Sequence, residues 1–185
     1  MPGATHADGT ATSAVGRVLL YGALAAGVFA AGLLVTEPAG ELGLDIDFKP
    51  FFLPYLVIAA IRFDERAVAA SVGAAVGEGV LDLVEGYELD DPFGFVGYVV
   101  GFLVFGWVLR EVAPDESDRR WQALACVCGA GTQAAFEGAA FYLLSDSGVS
   151  EALVSVVGNT VTHGVVMGAV PFVLLAPAVL RRFGE

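Results

Sequence analysis

The chain has 185 residues, of which 56% are hydrophobic, a composition too apolar for an ordinary soluble domain. We expect a polytopic membrane protein that forms one compact bundle. The formal net charge is −12, from 21 acidic and 9 basic residues, and this balance excludes nucleic-acid binding because no basic patch is present to displace counterions. Lys49 is the sole lysine, and an acid-rich, lysine-poor sequence is typical of a high-salt cytoplasm, where carboxylates hold water.

Six apolar runs follow a polar start. Residues 1–14 are small and polar and predict a disordered tail, so residues 15–185 form a single membrane domain. The runs lie at 16–35, 50–62, 67–84, 93–109, 121–144 and 151–180. The second run is short, and it spans only if helix continues back through Leu44–Phe48 or the bilayer thins there. Pro171 and Pro177 predict a kink or an end in the last run. The sequence therefore predicts an all-α bundle of six transmembrane helices.

The cationic residues set the predicted orientation. With six spans, all eight arginines fall on one side of the membrane and Lys49 alone falls on the other. Because cytoplasmic loops carry the excess of basic residues, both termini are predicted to be cytoplasmic. If the second run failed to cross, the split would remain eight to one, with Arg17 and Lys49 changing sides. The loops at 62–66 and 110–120 stay cytoplasmic in either case.

Seven polar side chains interrupt the apolar runs at helical spacing. A carboxylate costs at least ~2.5 kcal/mol at the centre of a bilayer, so such residues usually face a cavity and act there. At a rise of 1.5 Å per residue, Glu78 and Glu137 lie ~9 Å below the outer surface, and Asn159 lies ~12 Å below it. The inner halves of the helices are nearly free of polar groups. The seven residues are Glu78, Asp82, Gln133, Glu137, Ser155, Asn159 and His163.

These side chains form three stripes on separate helices: Glu78 and Asp82 on the third run, Gln133 and Glu137 on the fifth, and Ser155, Asn159 and His163 on the sixth. If the stripes face one another, they enclose an outward-opening cavity with acidic and aromatic walls. Interhelical hydrogen bonding, worth under ~1–2 kcal/mol each, is the alternative role for any one of these side chains. The predicted arrangement puts no arginine or lysine at that depth, so a bound cation or amine would have to compensate the carboxylates. We expect a cationic or hydrogen-bond-donating ligand with cation–π contacts. The predicted binding residues are Glu78, Asp82, Tyr87, Gln133, Phe136, Glu137, Asn159 and His163.

Three stretches of the sequence resemble the substrate-binding S component of energy-coupling-factor (ECF) vitamin transporters. Residues 49–86 are similar to the hairpin of that family's second and third helices, residues 91–110 to its fourth helix, and residues 158–182 to its closing helix. With the acid-rich composition, the resemblance implies a non-enzymatic subunit, from a halophilic archaeon, that captures a vitamin outside the cell. Thiamine or a related pyrimidine is the first expectation, and a cobalamin or metal substrate stays open. A carboxylate vitamin is disfavoured, since only Lys49 could meet its charge.

The same resemblance implies that the first helix docks on a transmembrane coupling subunit through small residues four apart. One face carries Ala26 and Ala30 and another carries Ala23, Gly27 and Ala31, and both fit; packing within the bundle is the alternative. The chain has no G-x-x-x-x-G-K-[ST] loop. ATP would therefore be used by partner ATPase subunits only, and no cofactor or metal is expected for this chain.

Three other functions compete with substrate capture. An intramembrane enzyme would use Glu78, Asp82 and His163 as metal ligands or as acid and base, although no HExxH pair is present on any helix. An ion- or proton-coupled carrier would use the carboxylates as relays, but such carriers usually need polar groups in both halves of the membrane. A structural scaffold would have polar stripes with no ligand to bind. Cys126 and Cys128 are interpreted as small buried hydrophobes.

Overall fold

The computed structural model describes residues 8–36, 46–86, 91–145 and 147–184, and within these ranges every regular element is helical. These ranges contain seven α-helices and two π-helical segments: π1 (Val108–Val112) extends α4, and π2 (Thr160–Ala169) joins α6 to α7. The α-helices are α1 (Asp8–Thr36), α2 (Phe52–Ala59), α3 (Glu65–Glu85), α4 (Asp91–Trp107), α5 (Arg119–Leu144), α6 (Val149–Asn159) and α7 (Val170–Phe183). The predicted all-α class is therefore confirmed.

Among the residues that the structure describes, four helices are long and apolar enough to cross a membrane: Ala14–Thr36, Glu65–Val84, Asp91–Val112 and Val149–Phe183. They match four of the predicted runs. Helix α5 has 26 residues, or ~39 Å at the α-helical rise, but it carries buried glutamines at 122 and 133. Any membrane span beyond these four therefore remains a prediction.

The second predicted span is not a continuous helix. Helix α2 has eight residues, or ~12 Å, which is less than half of a hydrocarbon core. Residues 46–50, which precede it, are not helical, so the condition that helix continues back through Leu44–Phe48 is not met over the described positions. The chain instead enters α2 from an irregular segment, which we call the entry segment (residues 46–50).

Helices α1 and α3 run parallel at very close range. A Cβ added at Gly73 would lie within contact distance of the backbone of Gly22, and one added at Gly77 would lie 2.5 Å from the carbonyl oxygen of Ala26. The two contacts advance in the same direction along both helices, which fixes the parallel sense. Only glycine allows backbones to approach this closely. Because α1 and α3 are parallel, the entry segment and α2 must return the chain across the bundle between them.

Two other pairs of neighbours are antiparallel: α4 with α5, and α5 with the continuous segment from α6 to π2. Gly97 and Gly101 of α4 meet Gln133 and Gly129 of α5 in reversed order, and Gly138 and Gly131 of α5 meet residues 156 and 160 in the same way. The starts of α1, α3 and α5 and the end of α7 therefore share one end of the bundle. That end carries all eight arginines: Arg17, Arg62, Arg66, Arg110, Arg119, Arg120, Arg181 and Arg182. We call it the arginine end.

Candidate functional site

Lys49 lies at the centre of a cluster of acidic side chains away from the arginine end. Its Nζ lies 2.7 Å from Oε1 of Glu78 on α3, 3.2 Å from Oδ2 of Asp47 and 3.9 Å from Oε1 of Glu137 on α5. The entry segment carries both Asp47 and Lys49, so an irregular stretch of chain delivers the cation into the bundle. One ammonium group thus faces three carboxylates, and we call these four residues with Tyr98 the ammonium cage.

Tyr98 of α4 completes the cage from a fourth side. The Lys49 ammonium donates to the Tyr98 hydroxyl at 2.7 Å, and that hydroxyl donates to Oε1 of Glu78 at 2.9 Å. The same ammonium lies 5.3 Å from the centre of the Tyr98 ring, so it contacts the ring at its hydroxyl end. Tyr98 is almost fully buried, and a buried phenol needs a partner for its hydroxyl. The carboxylate of Glu78 is that partner.

Asp47 holds the start of the entry segment against the last long helix. Its carboxylate lies 2.5 Å from Nε2 of His163, and its backbone N–H donates to Oδ1 of Asn159 at 3.3 Å. The neighbouring Ile46 packs where Gly158 has no side chain. Three successive contacts therefore position the entry segment on α6 and π2, and they place Asp47 between Lys49 and His163.

His163 presents both ring nitrogens to oxygen atoms. Nε2 faces Asp47, and Nδ1 lies 3.3 Å from Oε1 of Gln133. Both contacts are hydrogen bonds when the ring is doubly protonated; a neutral ring keeps both only if the Gln133 amide is turned to donate. The ring is fully buried and stacks on Phe51, with centroids 4.7 Å apart. His163 belongs to π2, and π-helical turns frequently occur at functional sites because they redirect side chains.

An aromatic layer separates the ammonium cage from the arginine end. Phe51 and Phe102 pack at 5.2 Å, and Tyr55 stacks on Phe105 at 4.0 Å. The Tyr55 hydroxyl donates to the backbone carbonyl of Cys126, which satisfies its only donor inside the core. The layer consists of Phe29, Phe51, Tyr55, Phe102, Phe105 and Phe172.

Several buried polar atoms near the cage have no hydrogen-bond partner. They include Oε2 of Glu78, Nε2 of Gln133 and Oγ of Ser155. An unpaired buried polar atom costs about 1–3 kcal/mol, so native proteins rarely leave several together. One acceptor (Oε2 of Glu78) and two donors (Nε2 of Gln133 and Oγ of Ser155) are therefore available to hydrogen-bond a ligand.

The three predicted stripes do converge. Lys49 connects Glu78 on α3 with Glu137 on α5, and Asp47 and Gln133 connect to His163 on π2. Asn159 joins through the backbone of Asp47.

The other predicted binding residues lie at different distances from this centre. The Cβ of Phe136 packs on Gly97 of α4, and Asp82 is half-buried and makes an interaction of its own. Tyr87 lies outside the described residues. Within the described part of the chain, no three His, Cys, Asp or Glu residues are grouped so as to hold a metal ion.

One premise of the sequence argument is wrong. The predicted cavity contained no basic residue, whereas Lys49 occupies its centre. The sequence predicts an outer-loop position for Lys49, because the second predicted run starts at the next residue, Pro50. The entry segment instead turns inward, and Asp47 and Tyr98 were missed with it. A lone lysine beside an apolar run, and a tyrosine inside one, were the available signals.

The structure also separates the two small-residue faces of α1. Ala26 packs against Gly77, so its face is used inside the bundle, and Ala30 is half-buried. Ala23 and Gly27 are exposed, and a Cβ added at Gly27 would meet nothing within 4 Å. Of the two candidate docking faces, the one with Ala23 and Gly27 is free in this chain.

No protein-family model matches the chain, and neither a curated protein sequence nor a solved structure is significantly similar to it. Fold and site alone therefore define its class. It is a helical chain with several helices apolar enough for a membrane, and it buries a lysine among carboxylates in one half of its bundle.

Proposed function

We propose that this protein is a membrane-embedded substrate-capture subunit, of the kind found in ECF-type uptake transporters. The observation that carries the proposal is the ammonium cage, in which three carboxylates and a tyrosine surround one ammonium group on the side of the bundle away from the arginine end. Charged groups inside membrane bundles are costly and mostly mark substrate or ion sites. The six-helix architecture of that class also belongs to this proposal, with the entry segment and α2 as its second crossing.

The proposed topology follows from the arginine end. All eight arginines share it, and positive residues mark the cytoplasmic side of membrane proteins. Both termini would then be cytoplasmic, and the ammonium cage would lie in the outer half of the membrane. A solute would reach the cage from outside without crossing the aromatic layer below it.

The proposed ligand is a small solute rich in hydrogen-bond donors. The site contains three carboxyl groups, of Asp47, Glu78 and Glu137, but the single ammonium group of Lys49. In addition, Oε2 of Glu78 has no hydrogen-bond partner. The sequence alone indicated that a ligand cation must compensate these carboxylates. Because Lys49 already supplies one positive charge, the ligand need not be a cation. An amine-bearing heterocycle such as thiamine or a related pyrimidine remains our first candidate, and a ligand acceptor group would meet Lys49 itself.

The proposed partner is a transmembrane coupling subunit with its ATPases, docked on the face of α1 that carries Ala23 and Gly27. That face is exposed and free of side chains larger than a methyl group at these positions, which suits close helix approach. Energy would come from the partner ATPases.

A thermal-shift screen of water-soluble vitamins and their precursors on the purified protein tests the proposal. We expect one compound to raise the melting temperature, with a Kd in the nanomolar to micromolar range. Glu78→Gln and Glu137→Gln should each weaken that binding at least tenfold, or ~1.4 kcal/mol. Glu111→Gln, at the exposed arginine end, is the matched control and should bind normally. A screen without any stabilising compound would count against substrate capture.

A second candidate function is an ion-coupled carrier, and one observation favours it. The return crossing is discontinuous, with irregular chain followed by a short helix, and broken helices commonly form the sites of secondary transporters. Proteoliposomes separate the two functions. A carrier would move protons or sodium with its solute in the absence of any partner, whereas a capture subunit would bind its solute without net transport.

A further inference from the structure

We propose that Lys49 is the resident occupant of an ammonium-binding site, and that a ligand carrying a primary ammonium group takes its place in the cage. This inference deepens the proposed function and rests on it, because it names the ligand chemistry of the same site. It differs from the general preference for donors in assigning one position to one group: the ligand ammonium would lie where Nζ of Lys49 lies now. Thiamine has a quaternary nitrogen and an aromatic amine but no primary ammonium, so this inference favours other amine-bearing solutes over it.

The cage has the geometry of an ammonium receptor. A primary ammonium has three N–H donors, and the nearest oxygens to Nζ are those of Glu78 and Tyr98, both at 2.7 Å, and of Asp47 at 3.2 Å. The same nitrogen lies 5.3 Å from the centre of the Tyr98 ring, beyond its hydroxyl. A quaternary ammonium has no N–H to donate, so these three short contacts select a primary amine.

The cage also holds more acceptor capacity than Lys49 uses. The Glu78 side chain is only 9% exposed, yet its Oε2 has no partner. Glu137 lies 3.9 Å from Nζ, which is beyond hydrogen-bond distance. A ligand with a hydroxyl or a second amine next to its ammonium would satisfy Oε2 of Glu78 as well. Such a ligand gains a hydrogen bond that the lysine side chain cannot make.

Lys49 can leave the cage without breaking a helix. It belongs to the entry segment, and its side chain is 21% exposed, so its flexible four-carbon stem has a way to water. Its backbone carbonyl accepts from the N–H of Phe51, and this contact does not depend on where the side chain points. Exchange of one ammonium for another keeps the charge of the cage constant, which removes most of the electrostatic cost.

The first test empties the cage by mutation and refills it. Lys49→Ala removes the ammonium, and ethylammonium chloride should then raise the melting temperature of the variant by about 3 °C or more at saturating concentration. Tetramethylammonium chloride at equal concentration is the matched control and should give no more than sodium chloride gives. The double variant Lys49→Ala, Glu78→Gln should lose the response to ethylammonium. Equal stabilisation by all three salts would overturn the proposal.

The second test follows Lys49 itself in the wild-type chain. Because it is the sole lysine, lysine labelled with ¹³C at Cε gives one side-chain NMR signal. Ethanolammonium, which carries a hydroxyl beside its ammonium, should move that signal toward the position of a solvent-exposed lysine, and Glu78→Gln should do so without any ligand. A signal that stays fixed up to the highest ethanolammonium concentration at which the wild-type protein remains folded would overturn exchange. This test also applies if Lys49→Ala does not fold.

The two proposals can fail separately. A vitamin screen without a hit, together with refilling of the cage by ethylammonium, would reject substrate capture and retain the ammonium site. A vitamin that binds tightly while the Lys49 signal stays fixed would retain capture and reject the exchange.

Discussion

The Nζ atom of Lys49 and the Oε1 atom of Glu78 lie 2.7 Å apart, and this contact ties the irregular entry segment to the middle of α3. The two residues are 29 positions apart in the chain. The pair is largely buried, so removing one member deprives the other of its nearest opposite charge.

Lys49→Met and Glu78→Gln should each destabilise the protein by about 2–4 kcal/mol, somewhat less than a fully buried pair would lose because Lys49 is partly exposed. The double variant should lose at least about 1 kcal/mol less than the two single losses combined, since the residues contact each other directly. Chemical unfolding in detergent measures all three. Arg119→Met, at an exposed position, controls for loss of a basic residue and should change stability by less than about 0.5 kcal/mol. Additive single losses would contradict a direct pair.

Gly77→Ala should cost about 1–3 kcal/mol, because the new Cβ would lie 2.5 Å from the carbonyl oxygen of Ala26 and would push α1 away from α3. Gly79→Ala, on the same helix two residues later, meets nothing within 4 Å. It should be neutral or stabilising by up to ~1 kcal/mol, since alanine favours helix over glycine. Melting temperatures of the two variants measure the difference. Equal destabilisation by both would contradict the close parallel contact.

Asp47→Ala should release the entry segment, because it removes the partner of both Lys49 and His163. Hydrogen exchange, followed by mass spectrometry, should show faster exchange across residues 46–51 than in the wild-type protein. Asp115→Ala is the control, since Asp115 lies on the exposed α4–α5 connection and bonds only locally with Ser117. Unchanged exchange in the entry segment would mean that the packing of Ile46 holds it alone.

Asp64 should make the arginine end sensitive to acid. Its side chain accepts from the N–H and the guanidinium of Arg66, and these hydrogen bonds lower the pKa of Asp64 below its ordinary value of about 3.8. A carboxyl whose pKa is lower in the folded state stabilises the fold above its unfolded pKa, and this contribution is lost as the pH falls through the folded pKa. Asp64 is also the N-cap of α3, where a cap is worth about 0.5–2 kcal/mol.

The comparison of wild type with Asp64→Asn isolates this charge. Asparagine keeps an oxygen for the N–H of Arg66 but carries no charge. The wild type should be more stable at pH 7, and the difference in melting temperature should shrink between pH 5 and pH 2. A difference that grows on acidification would have the wrong sign and would exclude a lowered pKa.

Helical periodicity explains how much of the site could be predicted. Glu78, Gln133, Glu137 and His163 lie on long helices, where spacing alone fixes a face and depth follows from the rise per residue. These residues do converge, as the stripes indicated. The same reasoning located the arginine end, because loops between long helices are easily assigned.

The site residues that the sequence did not predict, Asp47, Lys49 and Tyr98, are brought to the site by contacts between distant parts of the chain. Asp47 and His163 are 116 positions apart, and neither helical spacing nor propensity connects them. The parallel approach of α1 and α3 was equally hidden, since glycines at 22, 73 and 77 fit many neighbours. A buried tyrosine hydroxyl must find a partner, so Tyr98 carried a usable signal that pointed toward Glu78.

The parallel arrangement of α1 and α3 has a consequence for how the chain assembles. Helix α2 is too short to be stable across a bilayer alone, and the entry segment before it carries two charges. Apart from each other, those charges find their partners on α3, α4, α5 and π2, which are synthesised later. We therefore expect the return crossing to wait at the membrane surface during biogenesis and to enter last. Burial of Lys49 would then be the step that completes the bundle, and a truncated chain ending before residue 160 would leave that crossing outside.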